Sequence, residues 1–239
     1  MQPNPTSPEV DSPEQPLPPL RLGHLLAITT TCALSITGLV AFDRGVRGGP
    51  AIDHPVVIGC LVVIAAAVSA SVVATAVQLR WRWRGLRGRL APGARLSVAI
   101  AVAAIGYFAA LIVSLLVFHL NHDAFPVAWI VSRVLLILLL LAYLLRGVAS
   151  PNSCLAWRVA FASLTASVLS MAIAGWHFWC TILAVPVALA AAQDLITGTS
   201  RHWTHWLGAA AMLGILIALA TITLFPDAAS APVRGYFGW

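Results

Sequence analysis

Charged residues are scarce in this sequence, and lysine is missing altogether. Only 9% of the 239 residues are charged and 60% are hydrophobic, which gives a mean hydropathy of +0.90. An average soluble domain is about 25% charged, and a water-soluble fold cannot bury this much apolar surface. The composition therefore excludes an ordinary soluble domain and predicts an integral membrane protein.

Short chemical motifs are also missing. The four cysteines are scattered singly, so no CxxC pair is present to form a thiol redox centre or a zinc ribbon. Neither HExxH nor a phosphate-binding glycine loop occurs. We interpret the cysteines as small packing residues, and any energy coupling would need a partner subunit or an ion gradient.

Long apolar segments predict the fold, which is an all-α polytopic bundle of transmembrane helices. About 20 apolar residues cross a bilayer as a helix, and seven segments meet this length: about 22–42, 56–79, 96–118, 126–145, 156–174, 178–197 and 206–225. The fifth and sixth form one apolar block, which we divide at Gly175–Trp179 because tryptophan and histidine around a glycine are typical of an interfacial turn. Six spans with one re-entrant segment are the alternative.

The two ends of the chain differ from this domain. Residues 1–20 contain seven prolines and almost nothing apolar, which predicts a disordered cytoplasmic tail. The transmembrane domain occupies residues 21–226, and residues 227–239 form an external tail. Spacings of four between small residues, as in Ala67, Ala70, Ser71 and Ala74, predict close helix contacts.

Arginine counts predict the orientation. With a cytoplasmic N-terminus, ten arginines lie on the inner side and three on the outer side, which agrees with the positive-inside rule. Seven spans then place the C-terminus outside. Arginine without lysine, beside abundant alanine and valine, is typical of a bacterial genome rich in GC. We therefore expect a multi-pass protein of a bacterial cell membrane.

The stretch RWRWRGLRGR, residues 80–89, resembles a nucleic-acid-binding segment at first sight, because arginine contacts phosphate and tryptophan stacks on bases. It lies, however, between the second and third predicted spans. Arginine binds anionic headgroups and tryptophan prefers the same interface. We expect Arg80–Arg95 to contact lipid headgroups and no nucleic acid.

Four histidines fall in the predicted external loops, where they could bind a metal. His54, His119, His122 and His177 lie at similar depth, with two aspartates nearby. Neutral imidazole suits zinc and copper, although histidines are also common at membrane interfaces without binding anything. A bis-histidine haem is disfavoured because no histidine lies in mid-span, and retinal is excluded because its Schiff base needs a lysine.

Arg133 is the one charged residue inside a predicted span that no loop explains. It lies about 10 Å into the bilayer, where an arginine costs up to about 2.5 to 3.5 kcal/mol at mid-depth and usually faces a partner or a wet cavity. We predict that it contacts a substrate together with Trp129 and Trp176. The alternative is a side chain that snorkels to the outer interface.

Three residues could act in catalysis: Asp123, His122 and Asp194. Asp123 and His122 would act at the outer surface, whereas Asp194 is an acid near the inner end of the sixth span and could relay protons. Alternatively, Asp194 forms an ion pair with a cytoplasmic arginine such as Arg201, Arg146 or Arg158. Nearby, His202 and His205 are three residues apart and could share a helix face.

These observations predict a small integral membrane protein that is a transporter or permease component, or an accessory protein with a membrane protein partner. The alternative is a membrane-embedded enzyme for a lipid or isoprenoid substrate, for example a metal-dependent hydrolase. The length and the seven predicted helices resemble membrane-bound terpene cyclases in architecture only. That family uses a membrane-embedded glutamate, whereas Glu9 and Glu14 lie in the predicted tail, so Asp123 or Asp194 would have to replace it.

Overall fold

The computed structural model describes residues 19–47, 55–84, 90–150, 154–174, 179–198 and 201–224. Within these ranges it contains seven α-helices, one 3-10 turn at His122–Ala124 and no strand. The helices are α1 (Leu22–Arg47), α2 (Pro55–Trp83), α3 (Pro92–Leu120), α4 (Phe125–Val148), α5 (Leu155–Ala174), α6 (Trp179–Ile196) and α7 (Trp203–Leu224). The predicted all-helical fold is confirmed, and the apolar block after residue 155 does form two helices.

Proline and glycine mark several helix ends. Pro92 opens α3 and Pro126 lies in the first turn of α4, where the missing N–H costs no helical hydrogen bond. After α6, Gly198 has a φ of +63°, a left-handed conformation that glycine adopts without steric cost. The chain reverses there, so that Arg201 and the start of α7 return toward the end of α6.

The helices pack in chain order, and α7 lies at the centre. Each helix contacts the next one, and α7 also packs against α2 and α3. The main core lies among α3 to α7 and includes Trp157 and Phe161, which are almost completely buried. Smaller clusters join α2 to α7, for example Cys60 with Ala218 and Ile222.

Small residues mediate the close contacts. Ala67, Ala70, Ser71 and Ala74 of α2 are all buried, as their spacing predicts. In the membrane, such residues let helix backbones approach closely.

Four of the helices are long and apolar enough to cross a membrane, over Val56–Trp83, Pro92–Leu120, Phe125–Val148 and Trp203–Ile222. The described parts of the other three contain shorter apolar stretches, Leu22–Thr37, Leu155–Leu169 and Ile182–Ile196. The fold is therefore compatible with a membrane protein. Seven spans and the direction of insertion stay predictions, and the two predicted tails lie almost wholly outside the described residues.

One end of the bundle collects most of the described arginines, and we call it the arginine-rich end. There α1, α3, α5 and α7 begin, whereas α2, α4 and α6 end. Arg80 and Arg82 lie in the last turn of α2, and Nη1 of Arg95 donates a 3.2 Å hydrogen bond to the carbonyl oxygen of Arg146. Arg95 thereby satisfies a carbonyl that the end of α4 leaves without a helical partner.

Candidate functional site

A buried polar cluster lies at the arginine-rich end, where four helices meet. Trp157 comes from the first turn of α5, Asp194 from the last turn of α6 and His205 from the first turn of α7, while Gly93 lies in the first turn of α3. Arg201 lies just before α7. We call these five residues the Asp194 cluster.

Asp194 is the centre of this cluster, and its Oδ2 atom receives three contacts. The indole Nε1–H of Trp157 donates a 2.9 Å hydrogen bond to it. The His205 Nε2 atom lies 3.2 Å away and the Arg201 Nε atom 3.4 Å away, but neither N–H points along a hydrogen-bond direction. The indole bond is therefore the aligned one, and the other two contacts are electrostatic.

Burial gives these contacts their importance. Asp194 is 3% exposed, whereas Trp157 and His205 are completely buried. A buried carboxylate is tolerated only when neighbouring charges and hydrogen-bond donors compensate for lost hydration. The side chain of Arg201 is 27% exposed, so the cation that faces Asp194 keeps part of its own hydration.

His205 connects the carboxylate to α3. The backbone N–H of Gly93 donates a 3.0 Å hydrogen bond to Nδ1 of His205. Because Nδ1 accepts this bond, the ring proton of a neutral imidazole must be on Nε2, the atom next to Asp194. The ring also lies edge-on to Trp157 and Trp206, with centroid separations of 5.3 Å and 4.9 Å, which fixes its orientation.

The backbones of α3 and α7 touch beside the cluster. A Cβ atom added at Gly93 would collide with the carbonyl oxygen of His205, and one added at Gly208 would collide with the carbonyl oxygen of Gly93. The Ser97 hydroxyl donates to the Thr204 carbonyl oxygen at 3.5 Å. Glycine at both positions is what brings the Gly93 N–H within reach of His205.

Sequence reasoning found part of this cluster. The interpretation that Asp194 pairs with Arg201 is confirmed, whereas a catalytic role for Asp194 stays a prediction. The contacts with Trp157 and His205 were missed. The HxxH spacing indicated His205, but the two histidines have different surroundings: His202 lies before α7 with its Nδ1 3.1 Å from the Thr204 hydroxyl, while His205 is completely buried.

The predicted external metal site lies largely outside the described residues. His54, His177 and the side chain of His122 are not described. His119 is exposed, and the centre of its ring lies 6.1 Å from the centre of the Phe118 ring. Across the described ranges there is no group of three or more metal-binding side chains, so the zinc or copper site stays a prediction.

Of the other residues predicted at the outer side, some are described by the structure and one is not. Asp123 is exposed, and its backbone N–H donates a 3.0 Å hydrogen bond to Oδ1 of Asn121. The Cζ atom of Arg133 lies 5.4 Å from the centre of the Trp129 ring, so these two predicted substrate residues are neighbours. Trp176 lies outside the described residues. A substrate role for Arg133, Trp129 and Trp176, and catalysis by Asp123 and His122, stay predictions.

A second set of buried polar groups runs along α2. The side-chain polar atoms of Ser69, Ser71, Thr75 and Gln78 are buried and have no hydrogen-bond partner among the described residues. Several hydroxyls elsewhere in the bundle bond within their own helix: Thr165 donates to the carbonyl oxygen four residues earlier, and so do hydroxyls on α1 and α7. Ser71, Thr75 and Gln78 follow a spacing of four and three, so they share one face of α2.

Among the described residues, neither polar region holds an acid, a histidine and a nucleophile in hydrogen-bond contact. An acid beside a histidine can orient and activate a general base. Within the described ranges, however, neither ring nitrogen of His205 hydrogen-bonds a hydroxyl or a thiol. What the Asp194 cluster does is join the ends of α3, α5, α6 and α7.

No family model, no curated protein and no solved structure matched this chain.

Proposed function

We propose that this chain is a multi-pass protein of a bacterial cell membrane and an accessory or permease subunit that works through a membrane protein partner. Its N-terminus is cytoplasmic, and the arginine-rich end faces the cytoplasm. The observation that supports this proposal best is the enclosure of the Asp194 cluster. Its acid is 3% exposed and its histidine 0% exposed, and both contact residues of other helices, which supports a role in joining helices.

A deletion of the gene in its native host tests this proposal. We expect one membrane protein to fall several-fold in abundance, because subunits without their partner are degraded, and to recover on complementation. The same protein should co-purify with the tagged chain at a fixed stoichiometry. Quantitative membrane proteomics and lipid analysis of the same cells measure both outcomes. Turnover of a lipid by the purified chain alone, with an unchanged membrane proteome, would favour the enzyme alternative instead.

Solute movement through the chain itself is a second candidate, and the polar row on α2 favours it. Gln78 is 7% exposed and Ser71 completely buried, yet neither has a hydrogen-bond partner among the described residues. Buried polar groups are normally paired with protein or ordered water, so this row could hold water or a small neutral solute.

Stopped-flow light scattering on proteoliposomes tests this second candidate. Vesicles that contain the protein should shrink faster in hyperosmotic sucrose, or take up urea or glycerol faster, than empty vesicles. Gln78→Leu should abolish the difference, whereas Gln193→Leu, a change at an exposed glutamine of α6, should not. Equal rates with and without protein would remove this candidate.

A further inference from the structure

The outer half of α4 carries a charge on an uncovered surface. Arg133 is exposed, and its guanidinium lies over Trp129, one helical turn nearer the start of α4. The Trp129 ring in turn meets Tyr107 of α3 edge to face at 5.9 Å. These three side chains form what we call the Arg133 patch. No carboxylate of the described residues lies within ion-pair distance of Arg133.

Arg133 lies too deep for an ordinary interfacial arginine. It follows Phe125, the first residue of α4, by eight positions, which is about 12 Å along the helix axis at 1.5 Å per residue. If α4 spans the bilayer, the Arg133 backbone lies in its outer half, and the guanidinium extends over Trp129 toward the outer end of the helix. An arginine in such a position usually faces a partner or a wet cavity. The Trp129 ring offers cation–π attraction, but it cannot neutralise the charge.

The surface around Arg133 is the least covered of the long helices. In the most apolar 18-residue segment of α4, only 6% of the residues are buried. The corresponding share is 22% to 44% in the other three helices that are long and apolar enough to cross a membrane. The exposed side chains near Arg133 are large and apolar, with Ile130 60% and Leu135 62% exposed. This face is long enough to contact another transmembrane helix along its whole length, and large apolar side chains surround Arg133.

We propose that α4 packs against a transmembrane helix of a different protein, and that this helix places an aspartate or glutamate beside Arg133. The inference rests on the accessory function proposed above and names the chemistry of the partner. An ion pair between helices would compensate the Arg133 charge, while the apolar side chains on both sides supply packing. Charge complementarity selects the partner and its depth, because a misplaced carboxylate would remain unpaired.

Among the described residues no carboxylate lies beside Arg133, so we expect the carboxylate to come from another protein. The eight acids of this chain are Glu9, Asp11, Glu14, Asp43, Asp53, Asp123, Asp194 and Asp227. Only Asp194 lies inside a predicted span, and it is buried at the opposite end of the bundle. A lipid phosphate is the other group that could neutralise Arg133, and the test below distinguishes it from a protein carboxylate.

A designed helix of known composition tests the proposal directly. The probe is a 24-residue leucine–alanine helix with lysines at its inner end only and one aspartate about 12 Å from its outer end. Energy transfer between fluorophores on the probe and on the full-length protein measures association in phosphatidylcholine vesicles. We expect Arg133→Leu to weaken association at least tenfold, and a probe with leucine in place of aspartate to bind the wild-type protein equally weakly.

Three controls make this result specific. Combining Arg133→Leu with the leucine probe should give no further loss, since both changes remove the same contact. Arg80→Gln removes an exposed arginine at the other end of the bundle and should leave association unchanged. Arg133→Glu should prefer a probe that carries lysine at the same depth. Because Arg133 is exposed, these variants should fold, and circular dichroism in micelles checks that they do.

Three outcomes would overturn the proposal. One is association that does not depend on Arg133 or on the probe carboxylate. Another is bound phosphatidylglycerol in native mass spectrometry that is lost in Arg133→Leu, which assigns the patch to a lipid. The last is energy transfer between two labelled copies of this chain that is lost in the same variant, which assigns it to self-association.

Failure of this inference can be told apart from failure of the proposed function. If the probe ignores Arg133 but the host still loses one membrane protein on deletion, the chain is an accessory subunit that binds elsewhere. If the host proteome does not change, the accessory function itself is wrong.

Discussion

Trp157 and Asp194 are joined by a 2.9 Å hydrogen bond from the indole Nε1–H to a carboxylate oxygen, and both residues are buried. The bond connects the start of α5 to the end of α6. Asp194 also faces His205 of α7, which accepts a hydrogen bond from α3. Four helix ends are thus held by one carboxylate and the groups around it.

Replacing Trp157 with phenylalanine should destabilise the protein while keeping most of the packing. The loss should be about 1.5 to 3 kcal/mol, the usual contribution of a hydrogen bond to a charged group. Denaturant unfolding in mixed micelles, followed by circular dichroism, measures it. Trp83→Phe is the control, because Trp83 is 86% exposed and its replacement should have almost no effect.

Asp194→Ala should cost more than any change at Arg201. Removing one partner from a buried charged pair typically costs about 3 to 5 kcal/mol, and this change also leaves the Trp157 indole N–H without its acceptor. Arg201→Gln removes the cation that faces a buried carboxylate, but it should cost less than Asp194→Ala because the carboxylate keeps its hydrogen bond from Trp157. The same unfolding measurement compares them. Equal losses for the two variants would contradict the central position of Asp194.

The imidazole of His205 should carry its proton on Nε2 when it is neutral. The Gly93 N–H already points at Nδ1, so a proton there would bring two donors together. Nitrogen-15 NMR of protein labelled at histidine distinguishes the two tautomers, and His205→Gln identifies the signal. A proton found on Nδ1 of the neutral ring would contradict the described contact with α3.

Gly93→Ala and Gly208→Ala should each push α3 and α7 apart. Both added methyl groups meet backbone atoms that cannot rotate away, and overpacking of this kind typically costs about 1 to 3 kcal/mol. Gly59→Ala is the matched control, since nothing lies within 4 Å of a Cβ at that helical position. Thermal stability in detergent measures all three. Similar melting temperatures for Gly93→Ala and Gly59→Ala would mean that the helices do not touch there.

Neutralising Arg80, Arg82, Arg84, Arg87 and Arg89 together should weaken or invert the orientation of the protein. These residues supply half of the ten arginines on the predicted inner side, and each adds on the order of 1 kcal/mol of attraction to anionic headgroups. Reporter fusions after the second and third spans detect the change. An unchanged topology would show that other segments orient the chain.

The helices were predictable because in lipid the backbone N–H and C=O groups of each segment must be hydrogen-bonded within the protein. For a long apolar segment, an α-helix is the structure that achieves this. The ends were less predictable. Residues 80–83 and 92–95 lie in helices α2 and α3, although both flank the predicted spans, because an arginine side chain at a helix end can extend to the interface while its backbone stays helical. The sequence predicted a partner for Asp194 among Arg201, Arg146 and Arg158, and the structure shows the contact with Arg201.

The contacts with Trp157 and Gly93 could not be predicted in this way. Tryptophan near the end of a span is typical of a side chain that anchors a helix at the membrane interface. Nothing near Trp157 in the sequence indicates that its indole N–H points into the bundle. The short separation of Gly93 from His205, 112 residues later in the chain, depends on a backbone contact at Gly208. Such contacts are determined by the three-dimensional packing of helices that are distant in sequence.

The sequence by itself determined that the chain is helical and apolar, and it predicted which end collects the arginines, because these properties follow from composition and from the length of each segment. The tertiary structure alone decided that Asp194 faces a histidine and a tryptophan, and that Arg133 faces no carboxylate of the described residues. A charged side chain gains or lacks a partner through packing in three dimensions, which no local pattern in this sequence specifies.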